Sequence, residues 1–225
     1  MGMLHLIRHG QASAHAEDYD QLSELGKKQG EIIGRYLSEK QIDAIYIGPR
    51  KRHIQTYEAA RQENWPMPIQ TYWLDEFPAH EMMNKGIDQC KTMMPDLISE
   101  IMMIQSQTGS ASRAYHKVLQ RMTQMWIDGF EIEGVESFLE YQGRLMQAQR
   151  SLCMDREGDV LCFTSAGFIS SFVGHIQQGD SWQALRSAWA LYNGSIATYH
   201  LSKEGPMLAS FNWIEHIDDD MRTFL

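Results

Sequence analysis

A short, mostly apolar run at residues 3–7 that ends in Arg8-His9-Gly10 constrains the fold of this 225-residue chain most. The run reads as a buried strand, and it delivers a guanidinium, an imidazole and a glycine to the strand's carboxyl end. In open α/β sheets that is where ligands bind. Leu22, Leu25, Ile32, Ile33, Tyr36 and Leu37 then recur at helical spacing, with Lys27, Lys28 and Glu31 on the outer face. Further strands are predicted at 42–47, 69–74 and 159–164, the last around Val160-Leu161-Cys162-Phe163. Pro49 is placed to open a second helix at its first turn, and residues 168–176 and 181–191 read as helices. Two closing strands at 195–201 and 207–213 flank the turn Lys203-Glu204-Gly205-Pro206. Strands alternating with helices predict a three-layer α/β/α sandwich with a mostly parallel central sheet.

From about 77 to 155 the pattern is helical, rich in Met and free of strands: Ile101-Met102-Met103-Ile104, Val118-Leu119, Met122, Met125-Trp126 and Leu145-Met146. The chain therefore reads as a single domain, 1–225, carrying a helical insertion. The Met-rich stripe is expected to form a plastic core, and its place after the third strand also suits a cap that selects substrate. A net charge of −9 argues against a nucleic-acid partner, which calls for a basic face. An anionic substrate stays compatible, because a local cluster such as Arg8, Arg50, Lys51 and Arg52 sets the field inside a cleft. Cys90, Cys153 and Cys162 have neither metal-ligand spacing nor a CxxC pattern, so no metal is expected and the compartment reads as reducing. Cys162, inside an apolar strand, reads as a small buried hydrophobe. No apolar run reaches the length of a membrane span and the N-terminus lacks a signal-peptide pattern, so a cytoplasmic protein without a membrane partner is expected. The sequence carries no signal for an oligomeric state.

Arg8-His9-Gly10 in this strand context resembles the histidine phosphatase superfamily, in its phosphoglycerate-mutase-like branch. Gln21-Leu22-Ser23-Glu24-Leu25-Gly26 resembles the segment that opens that family's first helix. Asp43-Ala44-Ile45-Tyr46-Ile47-Gly48-Pro49-Arg50-Lys51-Arg52-His53-Ile54-Gln55-Thr56 resembles its second strand and the following Arg-x-x-Gln-Thr helix. The resemblance implies hydrolysis of a phosphomonoester, without metal or other cofactor, through a phosphohistidine on His9. Arg8 and Arg52 would clamp the equatorial phosphoryl oxygens with their planar donor forks. Gly10 would let the backbone approach the anion, and Gln11 would line the same pocket. Leu74-Asp75-Glu76 resembles the family's Leu-x-Glu and makes Glu76 the proton donor to the leaving alcohol, with Glu81 in reserve. Such an acid needs a raised pKa, which a bound phosphate dianion supplies. Arg50 and Lys51 read as a solvated rim. Structural roles are expected for Glu136, Ser137, Arg144 and His216. The implied partner is a small phosphorylated molecule or a phosphoprotein.

One departure matters. The family ends its fourth strand in Ser/Thr-His-Gly, whose histidine hydrogen-bonds the transferred phosphoryl group; here the segment is Thr164-Ser165-Ala166-Gly167. Ser165 stands at the histidine's position and, with Ala166, is assigned to phosphate binding. His175 lies about three turns along the helix, so no neighbouring histidine is expected to take over. Exchanging a charged donor for a hydroxyl costs on the order of 1–2 kcal/mol, about 5- to 30-fold in rate. A misplaced hydroxyl costs about 100- to 1,000-fold. A phosphatase of reduced activity is the leading expectation. The alternative is a pseudophosphatase that binds a phosphorylated ligand or protein; a phosphoglycerate mutase, which must hold a bisphosphate, ranks lower. Ser165 as a serine-hydrolase nucleophile is disfavoured by Phe163 at the motif's first glycine, and only Asp180 and His216 offer themselves as partners. Ser165→His is expected to raise activity; no gain in a folded protein would mean that the pocket has been rebuilt around serine.

Overall fold

The computed structural model describes residues 2–13, 20–93, 99, 103, 111–155 and 157–224. In chain order the elements are β1 (Met3–Arg8), α1 (Glu24–Leu37), β2 (Ile42–Ile47), α2 (Lys51–Ala60), β3 (Ile69–Gln70), α3 (Ala79–Met93), α4 (Ala111–Ile127) and α5 (Phe138–Leu152). They continue with β4 (Asp159–Thr164), α6 (Ala166–Ile176), α7 (Ser181–Ser187), β5 (Ile196–His200) and β6 (Met207–Trp213). The sheet order is β3-β2-β4-β1-β5-β6. The first four of these strands are parallel, β5 runs antiparallel to β1, and β6 antiparallel to β5. The result is a mixed sheet flanked by helices, an α/β fold as the sequence predicts.

The sheet's two faces follow from the alternation of side chains along each strand. Ile7, Ile45, Ile47, Leu161 and Phe163 pack with Ile33 and Leu37 of α1 and Ala60 of α2. On the opposite face Phe172 of α6 meets the Tyr199 ring edge-on at 6.0 Å. Cys162 is fully buried in β4, as its apolar strand context predicts. From β1 the chain crosses to β2 on one side of β4, and from β4 it crosses to β5 on the other side of β1. The two central strands therefore end at the crevice where the connections diverge, the place such sheets reserve for ligands. Their ends are level: Arg8 pairs with Thr164, and the His9 N–H donates to the Thr164 carbonyl at 2.9 Å.

Three boundaries differ from expectation. The strand expected over 69–74 is only Ile69–Gln70, followed by a 3₁₀ turn at Tyr72–Leu74. Trp73 and Leu74 both turn inward, which strict strand alternation forbids. Pro49 precedes the N-cap Arg50 of α2 rather than opening the helix. The helix expected over 181–191 ends at Ser187 and tightens into a 3₁₀ turn at Ala188–Ala190.

The chain divides into two compact units, Met1–Glu76 with Arg144–Leu225, and Phe77–Gly143. The core of the second unit is aromatic: buried Trp126 meets Phe138 at 5.1 Å, Tyr141 at 5.4 Å and Phe77 at 6.3 Å. Met82 and Met122 are buried in the same unit, so methionine supplements aromatic packing there. Ile101, Met102 and Ile104 lie outside the described residues, and Met103 is exposed. Among the described residues no helix is long and apolar enough to cross a membrane.

Candidate active site

His9 follows directly on β1 and is 6% exposed. Its Nδ1 lies 2.8 Å from the Gly10 carbonyl. A carbonyl oxygen only accepts, so Nδ1 carries the proton and the neutral ring keeps its lone pair on Nε2. Burial, then the positive charges of Arg52 and Arg8, then His53, hold this imidazole well below its ordinary range, against a smaller pull from the Gly10 contact. The ring is thus held in the form a nucleophile requires.

Arg8 and Arg52 are both buried and both bear on His9. Arg8 donates to the Leu191 carbonyl, while Arg52, from the first turn of α2, donates to Asp20 at 3.1 Å. Asp20 also accepts from the Lys51 N–H at 2.8 Å. Arg50 is no loose rim residue: its guanidinium pairs with Asp75.

The glycine of the tripeptide has a different reason from the one its sequence suggested. The Gly10 N–H donates to Thr56 Oγ1 at 3.1 Å, so it is not turned to an anion. A Cβ on Gly10 would stand 2.3 Å from the Gly26 carbonyl oxygen, and backbone cannot yield. Gln11 is likewise engaged in holding the loop: its side chain accepts from Ser23, and its N–H donates to Gln29, both at 2.8 Å. Ser23 in turn caps α1 by accepting from Gly26. Gln55 and Thr56 of α2 accept from the Leu22 and Gly10 N–H groups, and these bonds explain why the Gln-Thr pair sits one turn past Arg52.

Glu76 comes to the same crevice. Its Oε2 accepts from the Gly167 N–H at 3.2 Å, in the first turn of α6. Arg144, a buried residue of α5, donates to the carbonyls of Asp75 and Glu76 at 2.9 and 3.1 Å. Thr164 Oγ1 donates to the Leu74 carbonyl at 2.6 Å. These bonds tie the segment bearing the carboxylate to the end of β4. Glu81 belongs to the second unit, in the first turn of α3. Ser137 and Glu140 form a capping box on α5. Asp180 caps α7 and His216 bonds the Gly194 carbonyl, which gives both the structural roles that remove them as partners of Ser165.

The largest correction concerns Ser165. The sequence offered no histidine to stand near it, but His53 of α2 does: its Nε2 lies 2.6 Å from Ser165 Oγ, both side chains fully buried. The His53 and His9 rings are 5.8 Å apart. Ser165 is the N-cap residue of α6, yet its side chain makes no capping bond there. Ala166, the first helical residue, is buried. With His53 Nε2 already 2.6 Å from Ser165 Oγ and both side chains buried, an imidazole grafted at 165 would compete with His53 for space, so Ser165→His alone is no longer expected to raise activity. The signal was a histidine directly after Arg52, three residues before Thr56 and so on its helical face. Among the described residues no group of three His, Cys, Asp or Glu side chains is placed to hold a metal ion.

Solved structures share this fold. A Bacillus stearothermophilus protein, YhfR, is 20% identical with a TM-score of 0.65, over 97% of this chain and all of its own. A phosphoserine phosphatase mutant from Entamoeba histolytica, in complex with phosphoserine, is 17% identical with a TM-score of 0.61, over 96% of this chain and 100% of its own. A putative alpha-ribazole-5'-P phosphatase from Escherichia coli is 13% identical with a TM-score of 0.63, over 95% and 98% of the two chains. No curated protein matches significantly. The family comparison is independent of these folds and matches residues 4–126 and 100–214. On that match, the chain belongs to the histidine phosphatase superfamily (branch 1).

Proposed function

We propose that this protein hydrolyses phosphomonoesters through a phosphohistidine on His9, without a metal. The single observation that carries the reading is the bond from His9 Nδ1 to the Gly10 carbonyl, which leaves Nε2 as the free lone pair of a buried, neutral ring. Nε2 attacks phosphorus, and the bond to the ester oxygen breaks. Arg8 and Arg52 take the charge that spreads over the equatorial oxygens, with Arg52 exchanging Asp20 for the substrate. Glu76 delivers its proton to the leaving alkoxide. As a carboxylate it then accepts a proton from water, whose oxygen attacks phosphorus, breaks the P–N bond and restores His9. Relatives that carry phosphatase names support a phosphate ester as substrate; a small phosphorylated molecule or a phosphoprotein both fit, and a cytoplasmic location is part of the same proposal.

The test is hydrolysis of an aryl phosphate by wild type and His9→Ala side by side, with EDTA present. Turnover by wild type alone is expected. Equal turnover in both removes the mechanism. Silence in both folded proteins, with phosphate affinity that depends on Arg8 and Arg52, establishes the pseudophosphatase instead.

A further inference from the structure

His53 is a buried imidazole for which the proposed chemistry has no use so far. It is 0% exposed, and burial, then the charges of Arg52 and Arg50, hold it well below the ordinary histidine range, against a smaller contribution from the Gly48 backbone. A polar ring placed there is costly unless its hydrogen bonds are made. One is made, to Ser165, and the Gly48 backbone lies against the ring on its Nδ1 side. The site is shaped for the ring. A Cβ on Gly48 would stand 2.2 Å from His53 Nδ1 and 2.9 Å from Cε1, so only glycine at 48 admits it. Three residues from three segments, Gly48, His53 and Ser165, thus fit one another beside His9.

We propose that His53 is a positioning residue of the His9 site, supplying from α2, through Ser165, the imidazole that the end of β4 does not carry. The inference rests on the phosphatase reading above and deepens it. Ser165 precedes α6, and the third residue of that turn, Gly167, holds the Glu76 carboxylate by its N–H. By drawing the Ser165 hydroxyl off its own helix, His53 fixes the β4–α6 turn on which the acid rests. The same ring stands 5.8 Å from His9 and limits how that ring can tilt. Full burial of Ser165 keeps it from serving as a nucleophile itself, although His53 is spaced as a base would be.

The test compares wild type, His53→Leu, His53→Gln, Ser165→Ala, the His53→Leu/Ser165→Ala double variant and the relocated His53→Ala/Ser165→His, each first confirmed folded by circular dichroism and thermal midpoint. On an aryl phosphate, His53→Leu and Ser165→Ala are each expected to lower kcat by about 10- to 100-fold, with KM changed far less. The double variant loses no more than either single change, because both break one bond. Gln, whose amide offers Ser165 both an N–H and an acceptor oxygen, recovers part of the loss that Leu does not, and the relocated imidazole exceeds His53→Leu. Losses that multiply, a Leu variant at wild-type kcat, or Gln no better than Leu overturn the proposal. If wild type proves inert, the same proteins are titrated with inorganic phosphate: weaker binding on loss of His53 or Ser165 supports it, and equal binding, or none by wild type, overturns it. His9→Ala, run alongside, reports separately on the phosphatase reading.

Discussion

A histidine attacks phosphorus only as a neutral ring with its lone pair turned outward. His9 meets both conditions: the Gly10 carbonyl fixes the tautomer, and burial, followed by the positive charges of Arg52 and Arg8, keeps the ring neutral. In a ring-proton NMR titration the ligand-free protein is therefore expected to show His9 titrating below the ordinary histidine value, and Arg52→Ala to move it upward. An unmoved His9 would mean that burial alone sets its charge. Thr56 is the second residue whose role the geometry defines. It accepts from the Gly10 N–H and donates to the Arg52 carbonyl, so Thr56→Val strands a buried N–H. A loss of about 1–3 kcal/mol in urea unfolding is expected, with slower turnover because the loop bearing His9 loosens; unchanged stability would show that the loop holds without this bond. As candidates, His9, Arg8, Arg52 and Glu76 were legible in the sequence because each stands in a recognisable local motif. His53 was not, since the partner that explains it lies 112 residues away, and a local pattern does not report that distance.

At the scale of elements, the site depends on how closely α1 lies on α2. Gly30 faces Ala59, where a Cβ would stand 2.7 Å from the alanine methyl, and a Cβ on Gly34 would stand 2.1 Å from the Ala60 carbonyl oxygen. Helix propensity alone predicts that Gly34→Ala stabilises by about 1 kcal/mol. Packing predicts the opposite, by about 1–3 kcal/mol, because backbone does not yield. Packing should win: chemical denaturation is expected to show a destabilised protein, and turnover to fall as Gln55 and Thr56 shift from the loop they hold. A stabilised variant would show that the helices separate freely. β1 and β4 were legible as apolar runs, and α1 by its period. β3 was not, because a sequence of alternating character does not reveal that Trp73 and Leu74 bury together. Gly10 was read as an approach to phosphate and proves to be an approach of backbone to backbone; glycine marks the closeness without naming the neighbour.

For the whole molecule, His9, His53, His175 and His216 all have depressed affinity for protons, with burial the first cause of each and His216 lowered to about 4. The unfolded chain binds protons more readily at each of them. Their contribution to stability is therefore present above about pH 6.5 and lost as pH falls through the lower folded values. Thermal midpoints are expected to be level near pH 7–8 and to fall towards pH 4. His216→Gln, which keeps a donor for Gly194, should flatten that fall; an unchanged profile would assign it to other groups. Family membership alone does not decide whether such a molecule turns over substrate, since the proposed catalysis and simple phosphate binding would use the same arginines. The deciding measurement is a rapid acid-free quench of wild type with an aryl phosphate, followed by peptide mapping. The account predicts one phosphoryl group on His9, stable to alkali, lost in acid and absent from His9→Ala. A label on Ser165 or elsewhere, or turnover that leaves His9 bare and survives its removal, would contradict it.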